Sequence, residues 1–259
     1  MRFVTSVLFV LISTPLAAQE YTAERNATVP AGRADHIEVI ARAGSLRIEG
    51  RAGARDVSVR GTARASSRAG LAEVKLIAEE RQGTIYIEAD IPEHRDWNDD
   101  DEHQALDLVI EVPRGLTLDV SDGSGDLEIR NVGPLDLKDG SGDATVEHVG
   151  GNLRVQDGSG ELHITDVKGD VDVTDGSGTL EIRDVDGGVE IGQKGSGSLS
   201  ITSVAKSVRI HTKGSGSVEV AHVGGDFIVD RLASGSVDYS DVKGQVDIPD
   251  RRRHGRSNR

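Results

Sequence analysis

The sequence predicts an all-β protein built as a single β-solenoid, with coils of 17 to 19 residues. Two observations lead to this prediction: a Gly-Ser-Gly triplet recurs at that spacing in the second half of the chain, and the residues between triplets alternate between apolar and polar. A fixed period of this kind is typical of a unit that buries its apolar face only by stacking on copies of itself. The serines of the seven triplets are Ser124, Ser141, Ser159, Ser177, Ser196, Ser215 and Ser234, the last in an Ala-Ser-Gly variant.

Each repeat contains two short strands joined by a turn that carries a valine. The first strand places apolar residues three and five positions after the serine, from Leu127 and Ile129 in the first repeat to Val237 and Tyr239 in the last. The second strand alternates in the same way. Because side chains alternate across a strand, each strand is predicted to have one inward face. The turn valines, also predicted to be interior, are Val132, Val149, Val167, Val185, Val204, Val223 and Val242.

Residues 1–18 have the pattern of a secretory signal peptide. A basic start at Arg2 is followed by an apolar stretch to Ile12 and by small residues up to Ala18. The apolar stretch is too short for a membrane-spanning helix, which needs about 20 residues. The sequence therefore predicts export, with a periplasmic, secreted or cell-envelope location, and no transmembrane segment.

Residues 19–118 repeat the strand pattern in a degenerate form, which predicts the irregular N-terminal coils and cap of the solenoid. Solenoid ends expose an apolar coil face and therefore need atypical repeats. The acidic stretch Asp96–Glu102 interrupts the pattern. It is similar to the opening of a calcium loop, but Asp101 stands where such a loop has glycine. Both a solvated insertion and a metal loop remain open for this stretch.

Residues 119–248 form the regular β-helix repeats, and residues 249–259 form a basic tail that is predicted to be disordered. The last nine residues hold five arginines, whereas the whole chain has a net charge of −14. Anionic lipid is an alternative contact for this tail. The acidic repeats are unsuited to a polyanion, so the sequence predicts no nucleic-acid partner.

The repeats resemble a known family. Asp122–Ile129 and Asp157–Ile164, preceded by Val112–Gly115, resemble the bacterial putative adhesin family of β-strand-repeat domains of unknown function. They are also similar to the head domain of putative autotransporter adhesins. The resemblance extends over about residues 36–248. It implies a β-helix, usually right-handed, on secreted or envelope proteins, and it supplies no catalytic residues.

The sequence contains no set of residues that predicts catalysis. Acids are spread along the repeats instead of being paired with a base, and few aromatic rings are left outside the inward columns for stacking on sugars. We therefore expect a non-enzymatic scaffold or adhesin-like binding module with no cofactor, acting on an unknown envelope or cell-surface partner. The alternatives are a cation-binding protein similar to calcium β-rolls and, less favoured, a carbohydrate-active β-helix enzyme.

The position before each triplet is the most irregular column of the repeats. It holds aspartate in four repeats, then Lys194 and Lys213, and finally Ala233. The corner lengthens by one residue where aspartate gives way to lysine, which predicts two corner conformations. Stacked carboxylates repel one another, and a bound cation relieves that repulsion. The sequence predicts at most weak Ca²⁺ binding here, with the candidate ligands Asp122, Asp139, Asp157 and Asp175.

Overall fold

The protein is a β-solenoid in the computed structural model, as the sequence predicts. The structure describes residues 20–92 and 103–249. Within these ranges the chain forms twenty strands and one short helix. The predicted signal peptide, the acidic stretch 96–102 and the arginines of the tail lie outside the described residues.

The strands fall into an irregular N-terminal group and a regular C-terminal group. The N-terminal group comprises β1 (Tyr21–Pro30), β2 (His36–Ile40), β3 (Leu46–Arg51), β4 (Asp56–Ala65), β5 (Lys75–Arg81), β6 (Thr84–Asp90) and β7 (Gln104–Pro113), with helix α1 (Arg68–Glu73) between β4 and β5. The C-terminal group comprises β8 (Thr117–Asp122), β9 (Leu127–Arg130), β10 (Leu135–Asp139), β11 (Ala144–Val149), β12 (Leu153–Val167), β13 (Val171–Val185), β14 (Val189–Ser196), β15 (Leu199–Val204), β16 (Val208–Ile210), β17 (Val218–Val223), β18 (Phe227–Val229), β19 (Val237–Val242) and β20 (Val246–Asp247).

Two parallel ladders of strands run along the rod. One ladder stacks the first strands of the repeats in the order β3, β9, β11, β12, β13, β15, β17, β19. The other stacks the second strands in the order β2, β8, β10, β12, β13, β14, β16, β18, β20. β12 and β13 belong to both ladders because they continue through the corner that carries the triplet. Equivalent residues of successive coils therefore lie directly above one another.

The valine turn has the same conformation in every repeat. The residue before each valine adopts a left-handed backbone conformation, with φ between 49° and 61°. The valine then points into the core, where Val185 is 2% exposed. The predicted interior column is confirmed for every turn valine except Val242, which is only partly buried. The left-handed residues are Asn131, His148, Asp166, Asp184, Ser203, His222 and Asp241.

The corner that carries the triplet brings successive backbones into close approach. At the third position of one triplet, Gly160 has φ 139°, and a Cβ there would lie 1.8 Å from the carbonyl oxygen of Gly142 in the preceding coil. No side chain fits such a gap, so only glycine allows the coils to stack at this corner. The backbone carbonyls of neighbouring triplets consequently lie next to the interior.

The C-terminal coil differs from the sequence prediction. Tyr239 was expected in the inward column, but it is 53% exposed and Val246 is 36% exposed. The Tyr239 ring does contact the ring of Phe227 in the coil below, with centroids 6.1 Å apart. Its other side is uncovered by any described residue, because an inward column is buried only where a further coil stacks on it.

The N-terminal end of the rod is covered by antiparallel strands and the helix. β1 pairs with β4, β4 pairs with β7, and β5 pairs with β6, all antiparallel. The hydroxyl of Ser67 caps the helix by accepting a hydrogen bond of 2.9 Å from the amide of Gly70. The order in which strands stack here differs from their order along the chain. β2 pairs with β6 on one side and with β8 on the other, and β3 pairs with β7 on one side and with β9 on the other.

The inward register of the turn valines can be tested at one corner. We expect Val185→Asp to reduce the free energy of unfolding by several kcal/mol, because it buries a carboxylate without a partner. The matched control Asp184→Asn keeps a residue that tolerates the left-handed conformation, so its effect should stay within about 0.5 kcal/mol. Denaturant unfolding followed by circular dichroism measures both changes. Equal losses of stability would contradict the assigned inward and outward positions.

Candidate functional site

The column before each triplet lies inside the solenoid. Asp139 is 5% exposed and Asp175 is 1% exposed. Strand alternation explains this position, because Asp139 follows the inward Leu137 by two residues and so continues the inward face of β10. The in-register stacking of the coils then places one such residue in each coil. We call this column the interior ladder, formed by Asp122, Asp139, Asp157, Asp175, Lys194 and Lys213.

A β-bulge separates the aspartate half of the ladder from the lysine half. Val173 pairs with Ile191, but the next residue, Thr174, pairs with Gln193, so Gly192 is an extra residue in β14. The extra residue keeps Lys194 pointing inward although the corner is one residue longer. The predicted change of corner conformation is therefore a bulge in the structure.

The last position of the ladder is a correction to the sequence alignment. Leu232, and not Ala233, bridges to Lys213 and continues the column. Ala233 is itself the first residue of the Ala-Ser-Gly variant, and the residue two positions before Ser234, which matches the spacing of the other repeats, is Leu232. The ladder thus ends on an apolar side chain that packs against the core.

Lys194 is held by three oxygen atoms inside the coil. Its Nζ lies 2.8 Å from Oδ2 of Asp175 and donates hydrogen bonds to the carbonyl oxygens of Gly178 at 2.9 Å and Ser196 at 2.8 Å. The side chain of Lys194 has 0% exposure. A buried ammonium group is tolerated only where such partners replace water.

Lys213 repeats this arrangement without a carboxylate. Its Nζ donates to the carbonyl oxygens of Gly197, at 3.0 Å, and Ser215, and the residue in the preceding coil is Lys194 instead of an aspartate. Burial and the neighbouring charge of Lys194 lower the pKa of Lys213. The carbonyl oxygens therefore hold the amino group of a lysine even where no acid lies beside it.

Three aspartates of the other half, Asp122, Asp139 and Asp157, have raised pKa values. Burial raises the pKa of Asp122 to about 6. Burial and the charge of Asp122 raise the pKa of Asp139 to about 6. Burial, followed by the charges of Asp175 and Asp139, raises the pKa of Asp157 to about 7. These three carboxyl groups are therefore close to their titration points at neutral pH.

The predicted metal ligands are stacked one per coil and not gathered around one point. Within residues 20–92 and 103–249, no group of three or more histidine, aspartate or glutamate side chains is placed to hold a metal ion. The aspartates are also interior, unlike the exposed corner ligands of a calcium β-roll. Any ion bound at Asp122, Asp139, Asp157 or Asp175 would need backbone oxygens as further ligands.

A second candidate site is a groove on the outer side of the second-strand ladder. It has a volume of about 540 Å³ and extends from β8 to β16. Arg154 lies between two acids, with Nη1 3.3 Å from Asp136 and Nε 3.5 Å from Asp172. The charged side chains that line the groove are Asp119, Asp136, Arg154, Asp170, Asp172, Glu190 and Arg209.

One histidine lies at the C-terminal side of this groove. Nδ1 of His211 is 2.7 Å from Asp230, and its Nε2 contacts the carboxylate of Glu190. These two acids, first Glu190 and then Asp230, raise the pKa of His211. Because carboxylates engage both ring nitrogens, His211 links successive coils and is not placed to act as a general base.

The histidines of the valine turns are also paired with acids. Nδ1 of His148 lies 2.7 Å from Asp166, and Nδ1 of His222 lies 2.7 Å from Asp241, in each case at the same corner of the next coil. Both histidines are exposed. His148 and His222 are therefore exposed corner residues that link successive coils.

The geometry agrees with a family assignment made from the sequence. Residues 27–246 match the family model Toastrack DUF4097. The chain belongs to the Toastrack DUF4097 family. No curated protein matches the sequence significantly. The part of this Toastrack chain that the structure describes contains no helix that is both long enough and apolar enough to span a membrane.

Several solved structures are similar to this Toastrack chain. A putative adhesin from Bacteroides fragilis is 10% identical, with 89% of this chain and 97% of that chain covered and a TM-score of 0.35. A putative cell adhesion protein from Clostridium sporogenes is 13% identical, with coverages of 88% and 98% and a TM-score of 0.32. A putative lipid binding protein from Parabacteroides distasonis is 14% identical, with coverages of 88% and 96% and a TM-score of 0.36.

The buried ion pair of this Toastrack chain can be tested by substitution. Lys194→Met leaves the carboxylate of Asp175 buried without a counter-charge, so we expect a loss of about 3 to 5 kcal/mol of stability. When Asp175→Asn is added to Lys194→Met, the double variant should recover part of this loss, because the buried carboxylate is then removed. The control Lys206→Met breaks an exposed pair with Asp170, at 3.1 Å, and should cost less than about 1 kcal/mol. A double-mutant cycle that gives no coupling between residues 175 and 194 would contradict the pair.

The raised pKa values predict how stability depends on pH in a buffer whose only cation is choline. The folded protein binds more protons than the unfolded chain between about pH 4, where free aspartate titrates, and about pH 7. The stability contributed by these acids is therefore present at low pH and lost as the pH rises through that window. The melting temperature should therefore fall as the pH rises from about 4 to about 7.

Asp157→Asn should flatten this pH dependence, because it removes the carboxyl group whose pKa is about 7. The groups that face Asp157 in the ladder are Asp139 and Asp175, with Lys194 one coil further away. The control Asp136→Asn changes an outward residue of the neighbouring coil and should keep the slope of the parent protein. An unchanged slope in Asp157→Asn would contradict the raised pKa.

Proposed function

We propose that this protein is an exported, non-enzymatic, adhesin-like binding module whose groove holds a basic segment of an envelope or cell-surface partner. The observation that carries the proposal is the charge of the groove, which presents five acids and two arginines along six coils. The acidic balance of the chain, with 44 acidic and 30 basic residues, supports a positively charged partner. Export is supported by the signal-peptide pattern of residues 1–18.

The distribution of titratable groups supports a binding role over an enzymatic one. Glycoside hydrolysis needs a carboxylic acid of raised pKa beside a second carboxylate in an open cleft. The carboxyl groups with raised pKa, such as Asp157, are inside the coils and less than 9% exposed. In the groove, the carboxylates of Asp136 and Asp172 are bound to Arg154. Neither site combines an accessible proton donor with a second acid.

The shape of the groove also favours an extended ligand. Six of its seven charged residues, all except Asp170, come from successive strands at equivalent positions, so they repeat at the coil spacing of about 4.8 Å. Opposite charges alternate in part along this line, as at Asp136, Arg154 and Asp172. A flexible segment that carries several lysines or arginines can match such a line with several weak contacts, whereas a compact small molecule would meet only one or two of them.

The proposed groove can be tested with a defined probe. We expect a fluorescent deca-lysine peptide to bind the purified protein in a salt-dependent manner, measured by fluorescence anisotropy. Asp136→Asn combined with Asp172→Asn, the groove variant, should weaken binding at least about fivefold, because it removes two acids from the line. A neutral Gly-Ser peptide should not bind.

The control variant carries the same charge change on the other ladder. Glu219→Gln combined with Asp238→Asn removes two exposed acids from β17 and β19, outside the groove. It should change the affinity by less than about twofold. Equal weakening in both variants would show attraction to the overall charge of the protein and would reject the groove as the binding site.

A further inference from the structure

The ammonium group of Lys194 marks a cation position inside the solenoid. It is surrounded by Oδ2 of Asp175 at 2.8 Å, the carbonyl oxygen of Gly178 at 2.9 Å and the carbonyl oxygen of Ser196 at 2.8 Å. Two of these oxygens come from the coil below and one from the coil of Lys194 itself. The position is therefore a cradle of three oxygens between successive coils, filled by a cation that is tethered to the chain.

The same oxygens recur toward the N-terminus, where the chain supplies no ammonium group. Asp157 is in register with Asp175, and Gly160 with Gly178. Ser177 is in register with Ser196. The cradle one coil earlier thus consists of Asp157 and the carbonyl oxygens of Gly160 and Ser177. In that cradle the ladder residue of the next coil is Asp175, a further acid instead of a lysine.

Two more cradles follow by the same register. Asp139 pairs with Asp157 and with Asp122, so both coils keep the ladder spacing. The amide of Gly142 donates a hydrogen bond of 3.1 Å to the carbonyl oxygen of Ser159, so the triplets of these two neighbouring coils also stack in register. The oxygens of these two cradles belong to Asp139, Gly142 and Ser159, and to Asp122, Gly125 and Ser141.

A separate observation also indicates a missing positive charge. The side chains of Asp122 and Asp139 belong to residues that are more than nine-tenths buried. Backbone amides, those of Gly123, Gly140 and Ser141, lie near these carboxyl groups, but no described donor forms a hydrogen bond of good geometry with any of the four carboxylate oxygens, and no described cation contacts them. A buried carboxylate without a partner is expensive to keep ionised. The ladder contains four aspartates and two lysines, so two monovalent cations would neutralise it when every member is ionised.

We propose that the aspartate half of the ladder binds monovalent cations of the size of ammonium, with K⁺ as the fitting ion, between Asp122 and Asp139 and between Asp139 and Asp157. The cradle distances of 2.8 to 2.9 Å at Lys194 support this assignment. Ca²⁺ binds oxygen at about 2.3 to 2.6 Å and Mg²⁺ at about 2.0 to 2.1 Å, so both need a tighter cage. Backbone carbonyl oxygens that replace the hydration shell are the ligands that K⁺ takes in its channels.

The first test measures thermal stability of the purified protein at pH 8 in 0.2 M chloride salts of equal ionic strength. We expect K⁺ to raise the melting temperature by about 5 °C over choline, with saturation, because an ion that binds only the folded state stabilises it. Asp139→Asn combined with Asp157→Asn should lose this difference. The groove variant, which removes two outward acids from neighbouring coils, should retain it.

The second test asks whether a free ion can replace the tethered one. Lys194→Ala opens the cradle of Asp175, Gly178 and Ser196, and should be destabilised in choline. Ammonium and K⁺ should each restore part of the melting temperature, and choline at the same ionic strength should restore none. This test compares different salts on the single variant Lys194→Ala. Its result therefore does not depend on whether the double variant of the first test, Asp139→Asn combined with Asp157→Asn, still folds.

The third test locates the ion in the unsubstituted protein. Crystals soaked in Tl⁺, a heavy substitute for K⁺, should show anomalous density between Asp139 and Asp157. Equal melting temperatures in K⁺ and choline at pH 8 would overturn the proposal. Stabilisation by micromolar Ca²⁺ with no effect of K⁺ would also overturn it. Anomalous density found only on the outer surface would mean an adventitious ion only, and would reject the interior sites.

Discussion

The solenoid depends on one constraint, the parallel stacking of successive coils in register. Backbone hydrogen bonds between rungs, such as the 2.9 Å bond from the amide of Val171 to the carbonyl of Gly188, set a coil spacing of about 4.8 Å. Since each residue is paired with its equivalent in the next coil, any property that repeats in the sequence becomes a continuous line in space. The repeated valines stack into a buried column of the core, and the repeated ionisable residues stack into lines of charged groups.

Stacked charges of one sign are costly, and the protein relieves them differently outside and inside. On the outer face, Arg154 lies between Asp136 and Asp172, so opposite charges alternate and water screens the remainder. Inside, screening is weak and each charge needs a direct partner. Lys194 supplies that partner for Asp175, and it needs a bulge at Gly192 to reach the right register. A change of residue type in the ladder is thus linked to a change of backbone.

The two faces of the second-strand ladder differ in their surroundings. Outward residues are free to vary without loss of the core, which makes the groove a suitable place for recognition. Inward residues are enclosed by two coils, so the ladder acts on the stability of the rod and not on a partner. A cation bound between coils would join neighbouring rungs by carboxylate and carbonyl oxygens together, as the ammonium of Lys194 does. The proposed binding groove and the interior ladder are therefore separated by the thickness of one strand.

The sequence by itself determined the repeat, the inward columns and the turn valines, because each of these follows from local periodicity. Period two placed Leu137 inward, and it could also have placed Asp139 inward, since both lie on the same face of β10. Only the tertiary structure decided that this carboxylate is enclosed and that Tyr239 stays exposed. These outcomes depend on which coil lies above and below each residue. The stacking of the β2 and β3 coil between later rungs shows that this neighbour is set by contacts between distant parts of the chain, which no local pattern encodes.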